Sequence, residues 1–171
     1  MNSQRILGID PGLERTGWAI VENDEHKKPR IIAAGLIETS RTKSLQARLA
    51  AIYKEINSLI IKYSPSCAAV EEIFFTKRAD TQRNTTYARG VILLALENNG
   101  IETGEYNPRT VKSIISGNGN AEKNQIIKSV QLVFGLEKPL MPDDVSDAAA
   151  IAFVHLRTSA FKKLVNLERS R

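Results

Sequence analysis

The stretch ILGIDPGLERTG, residues 6–17, decides the fold of this 171-residue chain. It begins with apolar and small residues typical of a buried strand, and Asp10 then places a carboxylate directly before a Pro-Gly turn. Asp-Pro-Gly is also ordinary turn chemistry, since Asp accepts hydrogen bonds, Pro fixes φ and Gly takes positive φ. The stretch predicts a strand and a turn, and the role of Asp10 depends on the rest of the chain.

Runs rich in Ile, Val and Ala predict three consecutive strands joined by hairpin-like connections. They cover residues 5–10, 17–22 and 31–39 and are separated by turn material such as PGLERT and NDEHKKP. The apolar spacing of SLQARLAAIYKEINSLIIKY then predicts an amphipathic helix that stops at Ser64-Pro65.

The second half of the chain alternates strands and helices. SCAAVEEIFF, residues 66–75, predicts a buried strand. A polar stretch follows, then a helix predicted over 86–99, and IETGEYN is a weaker strand candidate. Three more helices are predicted over PRTVKSIIS, over AEKNQIIKSVQLVFG and from about residue 142. Three strands followed by alternating helices and strands indicate an α/β domain with a mixed sheet.

Composition limits the class of protein. The chain is 42% hydrophobic and 25% charged, as in an ordinary soluble domain, and its net charge of +5 favours a polyanionic partner. It lacks both a membrane-length apolar run and a signal-peptide pattern, so a cytoplasmic location with no membrane partner is expected. Because Cys67 is the sole cysteine, intrachain disulfides and zinc sites with two thiolates are excluded.

Two acidic positions end predicted strands. Asp10 ends the first strand, and Glu71 ends the apolar part of 66–75, with Glu72 on the opposite face if that strand continues. Leaving a buried carboxylate unpaired costs several kcal/mol, so a buried acid here is expected to meet a cation.

Three further acids open the last predicted helix. Asp144 and Asp147 are three apart and share one face, and Asp143 lies four before Asp147, so it can occupy that face instead. Acids in a first turn also cap a helix and complement its dipole, which is a purely structural alternative for Asp143 and Asp144. Oxygen ligands select Mg²⁺ or Mn²⁺, and two such ions about 4 Å apart can hold a phosphodiester between water and a leaving oxygen.

Five blocks carry a resemblance to a known family. LGIDPGLERTGWAIVE, AAVEEIFF, YARGVILLA, YNPRTVKSIISGNGNAEK and PDDVSDAAAIAFVH, in that order and spacing, resemble the RuvC family of crossover-junction endodeoxyribonucleases, bacterial Holliday-junction resolvases of the ribonuclease H-like fold. The likeness runs from about Arg5 to His155. It implies a ribonuclease H-like nuclease domain over 1–158, whose five-stranded mixed sheet has three antiparallel strands and then two parallel ones, flanked by helices. A basic tail over 159–171, which need not be ordered, would follow.

The resemblance also implies a catalytic metal site. Mg²⁺ would be the cofactor, with two ions in each active site and Mn²⁺ able to substitute. Glu71 is preferred to Glu72 as the first acid after AAV, and Asp144 to Asp143 by its spacing from Asp147, although the neighbouring acids stay open as alternatives. The implied catalytic and metal-binding carboxylates are Asp10, Glu71, Asp144 and Asp147.

Basic and aromatic residues complete the implied site. Lys112 and Lys123 match positions near the scissile phosphate, where they would be catalytic by offsetting transition-state charge, although by charge pattern alone each is a surface helix lysine. Phe74 is implied to stack on an unpaired base, a contact worth about 1–3 kcal/mol, although by pattern it is a core aromatic. Further implied DNA-binding residues are Lys77, Arg78 and Arg83.

The implied function is Mg²⁺-dependent nicking of two opposed strands of four-way junction DNA during recombination and repair. Symmetric cutting calls for two related sites, hence a homodimer, paired through the helix containing YARGVILLALE by a face with Val91, Leu94 and Ala95. That face can equally be buried within one subunit. RuvA and RuvB, the branch-migration proteins, are the implied partners.

Three other classes compete with this hypothesis. An RNA-processing nuclease of the same fold is the nearest rival. A non-catalytic DNA-binding module explains the positive charge but leaves the acids without a role. Actin-like kinases and ATPases share the first-strand Asp-x-Gly, but they need a second Gly hairpin and usually a duplicated domain, for which 171 residues are too few.

Overall fold

The computed structural model describes residues 4–72 and 79–169, with side chains for 4–72 and 82–159. In chain order the described elements are β1 Ile6–Asp10, β2 Arg15–Asn23, β3 Pro29–Glu38, α1 Leu45–Tyr63, β4 Cys67–Glu71, α2 Ala79–Asn98, β5 Glu102–Tyr106, α3 Pro108–Ser116, α4 Lys123–Phe134 and α5 Asp143–Arg169.

The five described strands form one mixed sheet in the order β3-β2-β1-β4-β5. β2 is antiparallel to β1 and β3, whereas β4 is parallel to β1 and β5, which confirms the predicted mixed sheet. Ile9 of β1 lies beside Val70 of β4, so the next residues, Asp10 and Glu71, leave the sheet side by side at the same end. The topology thus brings together two acids that are 61 positions apart in the sequence.

Helices cover both faces of the sheet. On one face α3, α4 and α5 pack over Ile6, Val21 and Ala69, and on the other α1 and α2 pack over Leu7 and Val70. Successive residues of a strand point to opposite faces, so β1 contributes to both cores and reads as an uninterrupted apolar run. The only departure from that run within β1 is its last residue, the half-buried Asp10.

Glycines allow α5 to lie directly against the middle of the sheet. A Cβ built on Gly8 of β1 would overlap the carbonyl oxygen of Ala148, and one built on Gly17 of β2 would overlap the carbonyl oxygen of Asp144. The small side chain of Ala152 lies at the same contact. This close approach places the first turns of α5 beside the end of β1.

The structure differs from the prediction at the ends of three elements. β4 ends at Glu71, while residues 73–75 of the predicted strand lie outside the described residues, and α2 begins at Ala79, seven residues before the predicted start. Residues 83 and 84 in the first turns of α2 are polar and exposed, so no apolar period marks this part of the helix in the sequence. α5 continues to Arg169, through most of the predicted tail, while the division at residue 158 stays a prediction.

Other predicted features are confirmed. α1 ends where Ser64 takes the left-handed conformation, just before Pro65, and α3 begins with Pro108 behind the N-cap Asn107. The described helices include none with the length and apolar character of a membrane span.

We predict that Gly8→Ala lowers the free energy of unfolding by about 1–3 kcal/mol, because the added methyl group must push α5 away from β1. Urea unfolding followed by circular dichroism measures the change. Ser58→Ala is the control: it lies on the exposed side of α1, away from the contact between α5 and the sheet, so it should change stability by at most about 0.5 kcal/mol. Equal stability of Gly8→Ala and the original chain would contradict the close-packing argument.

Candidate active site

Three carboxylates meet where β1, β4 and α5 come together. Asp10 and Glu71 end adjacent parallel strands, and their side chains are in hydrogen-bond contact. The charge of Asp147, in the second turn of α5, acts on both. Two carboxyl groups hydrogen-bond to each other only when one of them carries a proton, so in this arrangement Asp10 holds a proton that it donates to Glu71.

Burial and like charge raise the pKa values of this cluster. Burial raises the pKa of Asp10 well above its ordinary value, and Glu71 and Asp147 raise it further. Burial also raises the pKa of Glu71, although the hydrogen bond from Asp10 and the charge of Lys112 partly oppose that rise. The pKa of Asp147 is raised to about 6, chiefly by burial, against the attraction of Lys123 and Lys112.

Asp143 and Asp144, at the start of α5, face cations. Lys123 and Asp143 form an ion pair, and Arg15 Nη2 lies 3.5 Å from Asp143 Oδ1 and 2.9 Å from Asp144 Oδ2. The hydrogen bond from Lys123 lowers the pKa of Asp143. Asp144 Oδ2 is buried and, despite its closeness to Arg15, accepts no hydrogen bond of acceptable geometry from the described residues. Asp143 is therefore held by cations, whereas Asp144 keeps an unsatisfied oxygen.

The donor set suits a hard divalent cation. Carboxylate oxygens are the ligands that Mg²⁺ and Mn²⁺ prefer, and raised pKa values together with an unsatisfied oxygen mark charge that a cation would compensate. Among the described residues, no three His, Cys, Asp or Glu side chains already converge as ligands of one ion.

The predicted lysines border the cluster. Lys112 of α3 is half-buried and attracts the negative charges of Glu71 and Asp147. Lys123, at the start of α4, is exposed, and its pKa is raised by the hydrogen bond to Asp143 and by the other α5 acids. Both lysines therefore lie close enough to the acids to attract their negative charge.

The predicted DNA-binding residues are covered only in part. Phe74, Lys77 and Arg78 lie outside the described residues, and Arg83 is exposed on the first turns of α2.

Two arginines at the site were missed by the sequence reasoning. Arg15 pairs with Asp144, and Arg89 Nε donates to the backbone carbonyl of Glu71 at 3.2 Å while the same guanidinium pairs with Glu105. Both residues occur in quoted blocks, LGIDPGLERTGWAIVE and YARGVILLA, yet no spacing rule singles them out.

Comparison with known proteins decides the family. The sequence profile described as "Crossover junction endodeoxyribonuclease RuvC" matches residues 6–155. The chain belongs to the RuvC family. A RuvC-family relative from Brachyspira hyodysenteriae is 46% identical over 149 residues, covering 87% of this chain and 91% of the relative. One from Caldicellulosiruptor saccharolyticus is 42% identical over 156 residues, covering 91% and 94%. Both carry the same printed description as the profile.

Solved structures confirm the predicted fold. Thermus thermophilus RuvC superposes with a TM-score of 0.83 at 27% identity, covering 93% of this chain and 97% of that one. A second structure, T. thermophilus RuvC in complex with Holliday junction substrate, gives 0.83 at 28% identity, covering 89% and 92%. The resemblance stated from sequence and its extent, residues 5 to 155, are thereby confirmed.

We predict that Asp10→Asn raises the melting temperature at pH 7.5 in EDTA by about 3–6 °C, corresponding to about 1–2 kcal/mol. The raised pKa of Asp10 means that this carboxyl group binds a proton more tightly in the folded state than in the unfolded state. Its contribution to stability is therefore full below the unfolded pKa and is lost as pH rises through the folded pKa. An uncharged Asn at position 10 removes the repulsion between this side chain and the carboxylates of Glu71 and Asp147. The effect should shrink towards pH 4, and differential scanning calorimetry at both pH values measures it. Destabilisation at pH 7.5 would contradict the electrostatic interpretation.

Proposed function

We propose that this RuvC-family chain is a structure-selective endonuclease that resolves Holliday junctions during recombination and repair. The observation that carries the proposal is the meeting of Asp10, Glu71 and Asp147 at one end of the sheet, where burial raises the pKa of each carboxyl group. A structural domain has no need of such a cluster, whereas a phosphodiesterase that works through divalent cations does. The printed names of the relatives agree with this activity.

The proposed cofactor is Mg²⁺, two ions in each site, with Mn²⁺ able to substitute. Asp144 is favoured over Asp143 as a ligand because Lys123 pairs with Asp143 alone, while Asp144 Oδ2, which lies 2.9 Å from Arg15, accepts no hydrogen bond from the described residues. When bound, the ions would activate water and stabilise the charge on the leaving oxygen. The side chains that would hold them are Asp10, Glu71, Asp144 and Asp147.

The protein's own residues would position the phosphate. Lys112 faces Glu71 and Asp147, so its ammonium would hold a non-bridging phosphate oxygen against the acids and offset charge in the pentacovalent transition state. Lys123 would act similarly from the solvent side. Attack of a water oxygen on phosphorus breaks the bond to the 3′ oxygen, which takes up a proton. The products are 5′-phosphate and 3′-hydroxyl ends, suitable for ligation.

A homodimer through α2 is part of the proposal. Tyr87 and Leu94 are exposed and seven residues apart, hence on one side of the helix, with the half-buried Val91 between them. Ala95, predicted on the same face, is instead fully buried within the chain. Two such helices packed together would place two active sites about a two-fold axis.

Partners and location follow from the proposed function. We infer four-way junction DNA as the substrate, RuvA and RuvB as branch-migration partners, and the cytoplasm as the location. DNA contacts by Phe74, Lys77, Arg78 and Arg83 belong to the same proposal, and so does the division into domain and basic tail.

A cleavage assay tests the proposal. Purified protein is incubated with a labelled four-way junction, a linear duplex of matched sequence and a structured RNA, each with Mg²⁺, Mn²⁺ or EDTA. Paired, ligatable nicks in the junction alone, lost in EDTA, are expected. Preferential cutting of RNA would identify the rival nuclease, and binding without cutting would identify a DNA-binding module.

We predict that Asp10→Asn lowers the junction-nicking rate by at least about 10³-fold while junction affinity in EDTA changes less than about threefold, since Asn keeps the shape but loses the charge needed for metal. Single-turnover kinetics and a gel-shift titration measure the two quantities. Lys54→Gln, on the exposed side of α1, is the control and should leave both unchanged. Nicking by Asp10→Asn at a near-original rate would refute the role of Asp10.

We predict that Leu94→Glu converts the dimer to a monomer, raising the dissociation constant by at least about 10-fold, because a charge would be buried in the proposed interface. Analytical ultracentrifugation measures the dissociation constant. Ile61→Glu is the matched control, since Ile61 is 76% exposed on α1 against 53% for Leu94. A Leu94→Glu protein that remains dimeric would place the interface elsewhere.

A further inference from the structure

Arg89 of α2 contacts the backbone at the end of the strand that carries Glu71. Its Nε donates to the backbone carbonyl of Glu71 at 3.2 Å, and its Nη2 pairs with a carboxylate oxygen of Glu105 on β5. One planar guanidinium therefore joins a helix to the end of β4 and to the neighbouring strand β5.

The carbonyl of Glu71 lies where the pairing of β4 with β1 has ended. The last residue of β4 that pairs with β1 is Val70, and Pro11, just beyond the end of β1, has no N–H to extend the ladder. Backbone carbonyls away from water need a donor, and here a side chain supplies it. Arg89 thus holds the peptide of Glu71 from α2, while the pairing with β5 holds it from the sheet.

The packing of α2 fixes the position from which Arg89 reaches this carbonyl. Ala88 and Ile92, on the same helix, are fully buried in the core that contains Val70. Only 19% of the Arg89 side chain is exposed, and its guanidinium has acceptors on two different strands. The side chain therefore has a rigid base and a fixed end, which is what a structural link requires.

Arg89 acts on Glu71 through the backbone rather than through charge. Lys112, not Arg89, is the cation whose charge lowers the pKa of Glu71 against the effect of burial. The charge of Arg89 is met by Glu105 instead. Ion pairs near the surface contribute little to stability, so the value of Glu105 lies in orienting the guanidinium towards the strand end.

We propose that Arg89, oriented by Glu105, is a positioning residue for the carboxylate of Glu71. It sets the place of this carboxylate relative to those of Asp10 and Asp147. The inference rests on the proposed function, in which these acids hold metal ions. Groups that act on a reacting centre must be held closely in place, and a misplacement of about 1 Å can cost about 10²-fold in rate. A contact to the backbone of Glu71 would therefore affect the rate without touching DNA.

Arg89→Lys tests the proposal, because lysine keeps the charge but lacks the planar fork that reaches two acceptors. The single-turnover nicking rate of a four-way junction at saturating Mg²⁺ should fall about 10- to 100-fold. Junction affinity in EDTA should change less than about threefold, since the lost interaction is not one with the substrate. Mn²⁺ binding without DNA should weaken about 10-fold or more, measured from the electron paramagnetic resonance signal of the free ion.

Arg5→Lys is the matched control. Arg5 makes the same kind of double contact at the opposite end of the sheet: its Nε donates to Glu22 Oε2 at 2.9 Å and its Nη1 to the backbone carbonyl of Tyr63 at 3.0 Å. This variant should have a lower melting temperature, as Arg89→Lys should. Its nicking rate and Mn²⁺ affinity should stay within about twofold of the original values, because the site is distant.

Two variants of Glu105 decide the question if Arg89→Lys does not fold. The side chain of Glu105 is 47% exposed, so its truncation leaves no buried cavity. Glu105→Ala removes the acceptor that orients the guanidinium and should lower both the nicking rate and Mn²⁺ affinity at least about threefold. Glu105→Gln keeps an oxygen acceptor and should stay within about twofold of the original chain.

The outcomes separate this proposal from the proposed function. A near-original rate and Mn²⁺ affinity in Arg89→Lys, or in Glu105→Ala if the first variant is unfolded, would overturn the positioning role. Equal rate losses in Arg5→Lys and Arg89→Lys would also overturn it, because they would reflect a general loss of stability. If the original chain binds Mn²⁺ but does not nick the junction, the proposed function fails, while weaker Mn²⁺ binding by Arg89→Lys still supports positioning. Absence of Mn²⁺ binding by the original chain would overturn both.

Discussion

The contact of α5 with the central strands is the constraint on which the rest of the structure depends. Side chains larger than hydrogen at Gly8 or Gly17 would keep the helix away from the sheet. With the helix seated, backbone carbonyls of Ala148 and Asp144 lie against β1 and β2, and Asp147 reaches the end of β1. Acids from three separate parts of the sequence thus share one small volume because two strands carry glycine where the helix crosses them.

This packing of α5 brings carboxylates close together and so destabilises the folded state electrostatically. Burial and mutual repulsion raise the pKa values of Asp10, Glu71 and Asp147, so at neutral pH the fold tolerates charge that it would be more stable without. The apolar cores on both faces of the sheet supply the stability that permits this. Such a local loss of stability is typical of sites arranged for chemistry rather than for folding.

Much of this architecture can be predicted from sequence because it follows from periodic patterns. The apolar spacing of α1 and the short β-branched runs of β1–β3 identify those elements directly. The start of α2 could not be predicted, since the described residues of its first turns include the polar, exposed Arg83 and Asn84 and show no apolar period that would mark a helix. The four acids were selected through family resemblance, but spacing alone could not distinguish Asp143 from Asp144. The difference between them arises from Arg15 and Lys123, which the fold brings from distant positions.

Arg89 has a mechanical consequence. Its guanidinium spans from α2 to the carbonyl of Glu71 and to Glu105 of β5, and only 19% of its side chain is exposed. Arg89 therefore links the helix proposed to meet the second subunit to the strand end that carries the proposed catalytic acid, Glu71. A second subunit that tilts α2 would therefore also move Glu71. In the proposed dimer, subunit pairing and the positions of the carboxylates would be coupled.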